Sequence, residues 1–106
     1  MAKKEAGGVS MLVLALLKEK EMYGYQIIEE LDRRSNQVFR LKEGTLYPVL
    51  HALEKEHLVQ AREAETVKGR IRRYYAITEK GVKVLEEKKA EWTSYSAAVT
   101  AILAGA

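Results

Sequence analysis

The chain has 106 residues, 47% of them hydrophobic, and its 18 basic and 15 acidic side chains leave a net charge of +3. This length and apolar content predict one folded domain and exclude a disordered tail. Cysteine is absent, which excludes disulfides and cysteine zinc sites. The two histidines, His51 and His57, are six residues apart and therefore do not share one helical face. We expect no metal and no cofactor.

The first predicted element is a helix from Val9 to Glu19, where apolar residues recur at the helical spacing of three and four. Its apolar run, Val9 to Leu17, is followed by charged residues instead of a cleavage site and is too short to span a bilayer. We therefore expect a buried helix of a cytoplasmic protein that does not contact a membrane. A second helix is predicted over Gln26 to Arg34, with Ser35-Asn36-Gln37 as its exit.

The third predicted helix has a clear amphipathic pattern, with inward positions at Leu46, Val49, Leu50 and Leu53. Pro48, the only proline, is acceptable in the first turn of a helix because its missing N–H has no intrahelical partner there. The helix should therefore start near Glu43 to Thr45 and end near His57. Gly44 and Thr45 would then lie at its exposed N-terminal end, where free backbone N–H groups favour an anion.

The periodicity then changes to the alternation of strands over Val59 to Glu65 and Arg72 to Ile77, and Gly69 between them is the natural reversal point of a hairpin. No acidic residue occurs between Thr66 and Thr78. Four cations fall in six consecutive positions of this segment: Lys68, Arg70, Arg72 and Arg73. The hairpin therefore carries a local cationic patch of the kind that nucleic-acid binding requires.

The last predicted helix runs from Glu79 to about Leu103, with Thr78 as its N-cap. Gly81, early in this helix, should reduce its stability without preventing it. One stripe along the helix is spaced 3, 4, 3, 4, 3, as in the seam between two coiled helices: Leu85, Lys88, Trp92, Tyr95, Val99 and Ile102. Because the preceding elements are too short to cover this stripe, we expect a homodimer. The predicted dimer contacts are Leu85, Trp92, Tyr95, Val99 and Ile102.

The element order predicts a mainly α (α+β) fold, a winged helix-turn-helix with a two-stranded β wing and a long C-terminal dimerisation helix. We expect residues 1–78 to form the winged helix-turn-helix DNA-binding unit and residues 79–106 to form the dimerisation helix. In this fold the third helix enters the major groove of DNA and the hairpin follows the adjacent backbone.

Three stretches, Tyr23 to Ile27, Glu43 to Leu50 and Gly69 to Thr78, together resemble the PadR family of bacterial transcriptional regulators. Members of that family are typically dimeric winged-helix repressors. In its short length the chain resembles the subgroup with a single C-terminal helix, which includes multidrug-binding regulators. This resemblance implies a ligand pore at the dimer centre, with Lys89 standing where that subgroup carries an aromatic residue. The other implied ligand contacts are Trp92, Ser96, Met11 and Ser10.

We therefore expect a sequence-specific, homodimeric repressor that binds a palindromic operator on double-stranded DNA and is released by a small aromatic or drug-like effector near the dimer interface. By strand alternation Arg73 shares a face with Tyr75 and should brace the fold, and one of Tyr23 and Tyr25 should lie in the core. The predicted DNA contacts are Lys42, Thr45, Tyr47, His51, Lys68, Gly69, Arg70, Arg72 and Tyr25.

Other interpretations stay open. The winged helix could be a protein–protein interaction module whose basic hairpin meets an acidic partner, or a DNA-binding regulator that needs no ligand. Trp92 could then serve only as an anchor of the dimer seam. The sequence contains no nucleophile motif, no paired acid and base and no phosphate-binding glycine loop, so we expect no enzymatic activity.

Overall fold

The computed structural model describes residues 8–105, which form four helices and a three-stranded antiparallel sheet. The elements in chain order are α1 (Val9–Glu19), β1 (Met22–Tyr23), α2 (Gly24–Arg34), α3 (Glu43–Lys55), β2 (Val59–Glu65), β3 (Ile71–Ile77) and α4 (Glu79–Leu103). Residues 1–7 and 106, the outer ends of the two predicted units, lie outside the described residues. The elements and their order confirm the predicted mainly α winged helix-turn-helix.

The wing is the predicted two-stranded hairpin of β2 and β3, and the short strand β1 adds a third strand to its sheet, in the order β1-β3-β2. Met22 pairs with Tyr75 and Tyr23 pairs with Tyr74, while β2 pairs with β3 along its whole length. Two residues are too few to show alternation, which is why the sequence pattern does not predict β1. Because β1 leads directly into α2, it ties the start of α2 to the central strand of the sheet.

The apolar faces of the four helices and one face of the sheet meet in one core. Its buried members are Val13, Leu14, Leu16, Leu17, Met22, Ile27, Leu31, Leu46, Leu50, Leu53, Leu58, Val59, Tyr75 and Leu85. Among the described residues no polar or charged side chain is buried, so the core is held by apolar packing alone. The three leucines of α3 in this core fix the rotation of that helix and turn its opposite side outward.

Pro48 lies further inside α3 than predicted. The helix begins at Glu43, as expected, which makes Pro48 its sixth residue and not a first-turn residue. The carbonyl of Gly44, four residues earlier, therefore lacks a helical donor. Both Gly44 and Pro48 are exposed, so water can bond this carbonyl. The helix ends at Lys55, two residues before the predicted end.

α4 begins at a tight junction with the end of the sheet. The Thr78 hydroxyl accepts a hydrogen bond from the Gly81 N–H at 3.0 Å, which confirms Thr78 as the N-cap, and it donates to the His57 carbonyl at 2.8 Å. A Cβ on Gly81 would lie 2.7 Å from Ile77 Cγ1 and closer still to the carbonyl oxygen of Leu58. Glycine at this position therefore allows α4 to approach the backbone that precedes β2.

Candidate nucleic-acid interface

The outward side of α3 carries the residues predicted to contact bases. Thr45, Tyr47 and His51 of α3 and its N-cap residue Lys42 are all exposed, whereas the inward leucines of the helix are buried. The Lys42 carbonyl accepts hydrogen bonds from the N–H groups of Thr45 at 2.9 Å and Leu46 at 3.0 Å, which fixes the first turn. The exposed hydroxyl, imidazole and ammonium groups are of the kinds that bond base edges and phosphates.

Tyr47 also contacts the start of α2. Its side chain covers Gly24 so closely that a Cβ on Gly24 would lie 2.8 Å from the ring atom Cζ, although Tyr47 remains 40% exposed. Partial burial, and after it the negative charge of Glu43, raises the pKa of Tyr47. The Tyr47 ring therefore lies at the junction of α2 and α3.

The turn at the tip of the wing is closed by three hydrogen bonds. The Thr66 N–H donates to the Arg70 carbonyl at 2.8 Å, and the Gly69 N–H donates to the Thr66 carbonyl at 2.9 Å. The Arg70 N–H donates to the Thr66 hydroxyl at 3.2 Å. Gly69 has a φ of 80°, a left-handed conformation that glycine adopts without a steric penalty. This turn leaves the side chains of Lys68 and Arg70 exposed.

Arg73 lies on the inward face of β3 and is engaged by the protein itself. Its Nη2 donates to Glu54 Oε2 at 2.9 Å, and its Nη1 lies 3.8 Å from Glu63 Oε2. The guanidinium carbon is 5.8 Å from the centroid of the Tyr75 ring. Arg73 therefore links the wing to α3, as its position in the strand alternation predicts.

The opposite face of the sheet carries an arginine–tyrosine row, which we define as Arg72, Tyr23, Tyr74 and Arg62. Arg72 Cζ lies 4.1 Å from the centroid of the Tyr23 ring, and Arg62 Cζ lies 5.1 Å from that of Tyr74. The two tyrosine rings meet edge to face with their centroids 5.5 Å apart. Arg72 is therefore only partly exposed, because its guanidinium rests on Tyr23.

Some cations of the chain are paired with carboxylates and others are not. Arg62 donates to both carboxylate oxygens of Glu21, and Arg34 bonds Glu19 and Glu30. These hydrogen bonds lower the pKa of all three glutamates. Within residues 8–105, a second group on the start of α3 and on the wing forms no ion pair: Lys42, Lys68, Arg70 and Arg72. Positive charge therefore persists on the two elements predicted to face DNA.

Tyr25, the remaining predicted DNA contact, is exposed in the first turn of α2, and Tyr23 is only partly buried, so the prediction that one of the two lies in the core is wrong. It follows Gly24, which Tyr47 covers, so the starts of α2 and α3 lie side by side. The contact between Tyr23 and Arg72 joins the wing to the same junction. Sequence reasoning missed this contact because it depends on β1. The only sequence signal for it is the alternation that places Arg72 and Tyr74 on one face.

An open groove between α1 and α4 brings together three of the five predicted ligand contacts, Trp92, Met11 and Lys89. Its other lining residues are Leu12, Ala15, Lys18, Glu19, Leu85 and Thr93. Neither Ser10 nor Ser96 lines this groove, and the Ser96 hydroxyl donates to the Thr93 carbonyl of its own helix at 3.3 Å. The groove of the single chain therefore contains the indole but not the two serines.

The predicted dimer stripe on α4 divides into a buried part and an exposed part. Leu85 is only 1% exposed because it packs in the core of its own chain, so it is not free to contact a partner as predicted. Trp92, Tyr95 and Ile102 are 54%, 63% and 77% exposed, and Val99 is partly exposed. No described element covers these three large apolar side chains, which leaves the second half of α4 with an unburied apolar surface.

The histidines do not form a metal site with any described carboxylate. His57 lies in the turn after α3 with a φ of 65°, away from the helical position of His51. No group of three or more histidine, aspartate or glutamate side chains in the described range is placed to hold a metal ion. None of the helices described is long and apolar enough to cross a membrane.

The chain is similar to known proteins over most of its length. Residues 13–87 match the model of the Transcriptional regulator PadR-like family. The transcriptional regulator Rv3488 of Mycobacterium tuberculosis is 34% identical over 89 residues, which cover 84% of this chain and 79% of that protein. A PadR-like transcriptional regulator from Bacillus cereus has a crystal structure that superposes with a TM-score of 0.79, at 32% identity and 92% coverage of each chain.

A more distant structure, Bacillus subtilis PadR in complex with operator DNA, superposes with a TM-score of 0.69 at 24% identity, covering 74% of this chain and 45% of that one. At this identity the likeness establishes the fold alone. PadR-like proteins are transcriptional regulators, which confirms the prediction that this chain is not an enzyme. With its winged helix-turn-helix and a family match over residues 13–87, the chain belongs to the PadR-like family of transcriptional regulators.

Proposed function

We propose that this chain is a homodimeric repressor that binds a palindromic operator on double-stranded DNA in the cytoplasm and is released from it by a small effector. One observation carries the DNA-binding part: the wing and the start of α3 hold cations without carboxylate partners, whereas the neighbouring Arg62 and Arg73 are paired. A protein of the same fold, Bacillus subtilis PadR, has been crystallised with operator DNA. In this proposal residues 1–78 bind DNA and residues 79–106 dimerise.

The proposed interface divides affinity and specificity between two elements. Thr45, Tyr47 and His51 on α3 read base edges, because hydroxyl and imidazole groups can distinguish base pairs in the major groove. Lys42 and the wing cations contact phosphates, which give affinity and salt dependence but little sequence information. Gly69 allows the wing turn to approach the backbone closely, and Tyr25 contacts a phosphate from the start of α2.

Fluorescence anisotropy with a labelled duplex from the chain's own promoter region tests this interface. The double variant Lys68→Ala/Arg70→Ala should weaken binding about tenfold on every DNA sequence, because it removes cations that bind the DNA backbone. The slope of log affinity against log salt should become shallower by about 0.9 for each phosphate that the variant no longer neutralises.

A matched control removes two positive charges from α4 instead of from the wing. Lys80 and Lys83 are exposed and form no ion pair with a described residue, and they lie outside both proposed DNA-binding elements. Lys80→Ala/Lys83→Ala should leave the salt slope nearly unchanged. Equal effects of the two double variants would contradict the assignment of the wing. Weak binding that is the same for promoter and scrambled duplexes would favour the protein–protein interaction module instead.

The groove between α1 and α4 supports the effector part of the proposal. It places the exposed Trp92 indole beside Met11, and planar aromatic compounds stack on such a ring. In this respect we propose that the chain resembles the multidrug-binding members of its family. Of the proposed ligand contacts, Trp92, Met11 and Lys89 line this groove. Ser10 and Ser96 remain proposed contacts of the pore at the dimer centre. Lys89 lies 3.7 Å from Glu86, which also pairs with Lys18 across the groove.

Tryptophan fluorescence tests the effector site directly, because Trp92 is the only indole in the chain. A planar aromatic dye should quench the Trp92 emission and, over the same concentration range, release the protein from operator DNA. Met11→Ala should weaken quenching because it removes one wall of the groove, while Lys83→Ala, outside the groove, should not. If a panel of cationic and anionic dyes changes neither emission nor DNA binding, the chain regulates without a ligand of this class.

A further inference from the structure

We infer that Tyr23 is a positioning residue for DNA binding: its ring holds the Arg72 guanidinium in place to bond a backbone phosphate. This inference rests on the proposed DNA-binding function and deepens it, because it gives a role to a residue that need not touch DNA itself. Arg72 is two residues from Arg70 of the wing turn, and Tyr23 adjoins Gly24, which Tyr47 of α3 covers. Arg72 therefore lies between the wing turn and the α2–α3 junction, both of which are proposed to contact DNA.

The geometry allows Tyr23 to hold Arg72 without neutralising it. Arg72 Cζ lies 4.1 Å from the Tyr23 ring centroid, the shortest such distance in the arginine–tyrosine row. A guanidinium over an aromatic face is attracted by the ring's quadrupole, and this contact uses its planar face. The N–H groups along its edge remain available for a bidentate bond to a phosphate.

Tyr23 is itself held from two sides. Its backbone N–H donates to Gln26 Oε1 at 3.1 Å, and its ring meets that of Tyr74 edge to face at 5.5 Å. A long arginine side chain loses rotamer freedom when it binds a phosphate. Because the fixed Tyr23 ring already restricts Arg72, less of this freedom is lost on binding DNA.

Arg62, at the other end of the same row, provides the contrast. Arg62 stacks on Tyr74, but its Nε and Nη2 both donate to Glu21. Arg72 stacks in the same way, yet no carboxylate among residues 8–105 pairs with it. One end of the row is therefore neutral and the other is positive. A purely structural row would need no such difference, whereas a phosphate contact requires the positive end.

A double-mutant cycle on operator binding tests the coupling. Tyr23→Leu removes the ring, Tyr23→Phe keeps it, and Arg72→Gln removes the charge. With Arg72 present, Tyr23→Leu should weaken operator binding about threefold per half-site, and Tyr23→Phe should bind like the wild type. In the Arg72→Gln background, Tyr23→Leu should change the affinity no further. As a matched control, Arg62→Gln/Glu21→Gln removes the ion pair at the other end of the row without changing the net charge, and it should leave the salt slope unchanged.

Two results would overturn the positioning role: an equal loss from Tyr23→Leu with and without Arg72, or a loss from Tyr23→Phe as large as that from Tyr23→Leu. Thermal unfolding of each variant shows whether it is folded at the assay temperature. Arg72→Lys gives a second test that leaves Tyr23 in place, because lysine keeps the charge but has no planar group to stack. Its affinity should fall about threefold with the salt slope retained, and wild-type affinity would equally overturn the proposal.

The variant Lys68→Ala/Arg70→Ala, which tests the proposed DNA interface, distinguishes a failure of the positioning role from a failure of that interface. If it weakens binding while the Tyr23–Arg72 cycle shows no coupling, only the positioning role is wrong. If Lys68→Ala/Arg70→Ala instead leaves operator binding unchanged, the proposed DNA interface itself is wrong.

Discussion

The space beside a glycine decides whether a methyl group there stabilises or destabilises the fold, and two glycines of this chain differ sharply in that space. A Cβ on Gly81 would meet the carbonyl oxygen of Leu58, which is backbone and cannot rotate away, and would lie 2.7 Å from Ile77 Cγ1. A Cβ on Gly44, in the first turn of α3, would have no described atom within 4 Å. The two positions therefore form a matched pair for one substitution.

We expect Gly81→Ala to lower the free energy of unfolding by about 1–3 kcal/mol, because overpacking against backbone outweighs the better helix propensity of alanine. Gly44→Ala should instead raise it by about 0.5 kcal/mol, since only the propensity changes. Urea unfolding followed by circular dichroism measures both values. A stabilised Gly81→Ala variant would contradict the close approach of α4 to the backbone before β2.

Single residues of this chain are predictable from sequence where the signal is local. Thr78 as an N-cap and Gly69 in a tight turn follow from the residues beside them, and Arg73 follows from strand alternation. The environments of Leu85 and Arg72 cannot be predicted in this way, because they are formed by elements distant in sequence. α1 packs against α4 near Leu85, and β1 places Tyr23 beside Arg72. Non-local packing, not propensity, decides both cases.

At the scale of whole elements, the bounds of α1, β2 and α4 agree with prediction because each has a clear period and a distinct start or stop. α3 begins where expected, but Pro48 lies in its interior, since an exposed carbonyl can tolerate the lost hydrogen bond. β1 escapes prediction because two residues carry no period and its pairing partner lies about fifty residues later.

The wing and α3 are joined by the ion pair between Arg73 and Glu54, at 2.9 Å. Both side chains are partly exposed, so the pair should stabilise the fold by about 0.5 kcal/mol at most. Glu54→Gln should nevertheless speed amide hydrogen exchange in β3 around Arg73, because the wing loses its tie to α3. Glu30→Gln, which breaks the bonds of Glu30 to Arg33 and Arg34 within α2, should leave the exchange of β3 unchanged. Equal exchange in both variants would show that the pair does not hold the wing.

The whole molecule is elongated, with extents of 59 × 29 × 24 Å, and the helix α4 is its longest element. The first half of α4 buries Leu85 against its own chain, whereas the second half exposes Trp92, Tyr95 and Ile102. A helix with such an apolar stripe gains stability by burying it against a second copy. Twofold symmetry would then present two wings and two copies of α3 to the two halves of a palindrome.

Charge placed on the stripe tests this assembly. Val99→Glu/Ile102→Glu should convert the proposed dimer to a monomer, because two carboxylates per chain would be buried in the seam. Ala97→Glu/Ala101→Glu adds the same charge to the opposite face of α4 and should leave the dimer intact. Sedimentation equilibrium measures the mass of each variant. A monomer contacts only one of the two half-sites of the operator, which lie about 34–36 Å apart. Operator affinity should therefore fall about a hundredfold or more for Val99→Glu/Ile102→Glu but not for Ala97→Glu/Ala101→Glu. If both variants dissociate, or neither does, the seam does not lie along this stripe.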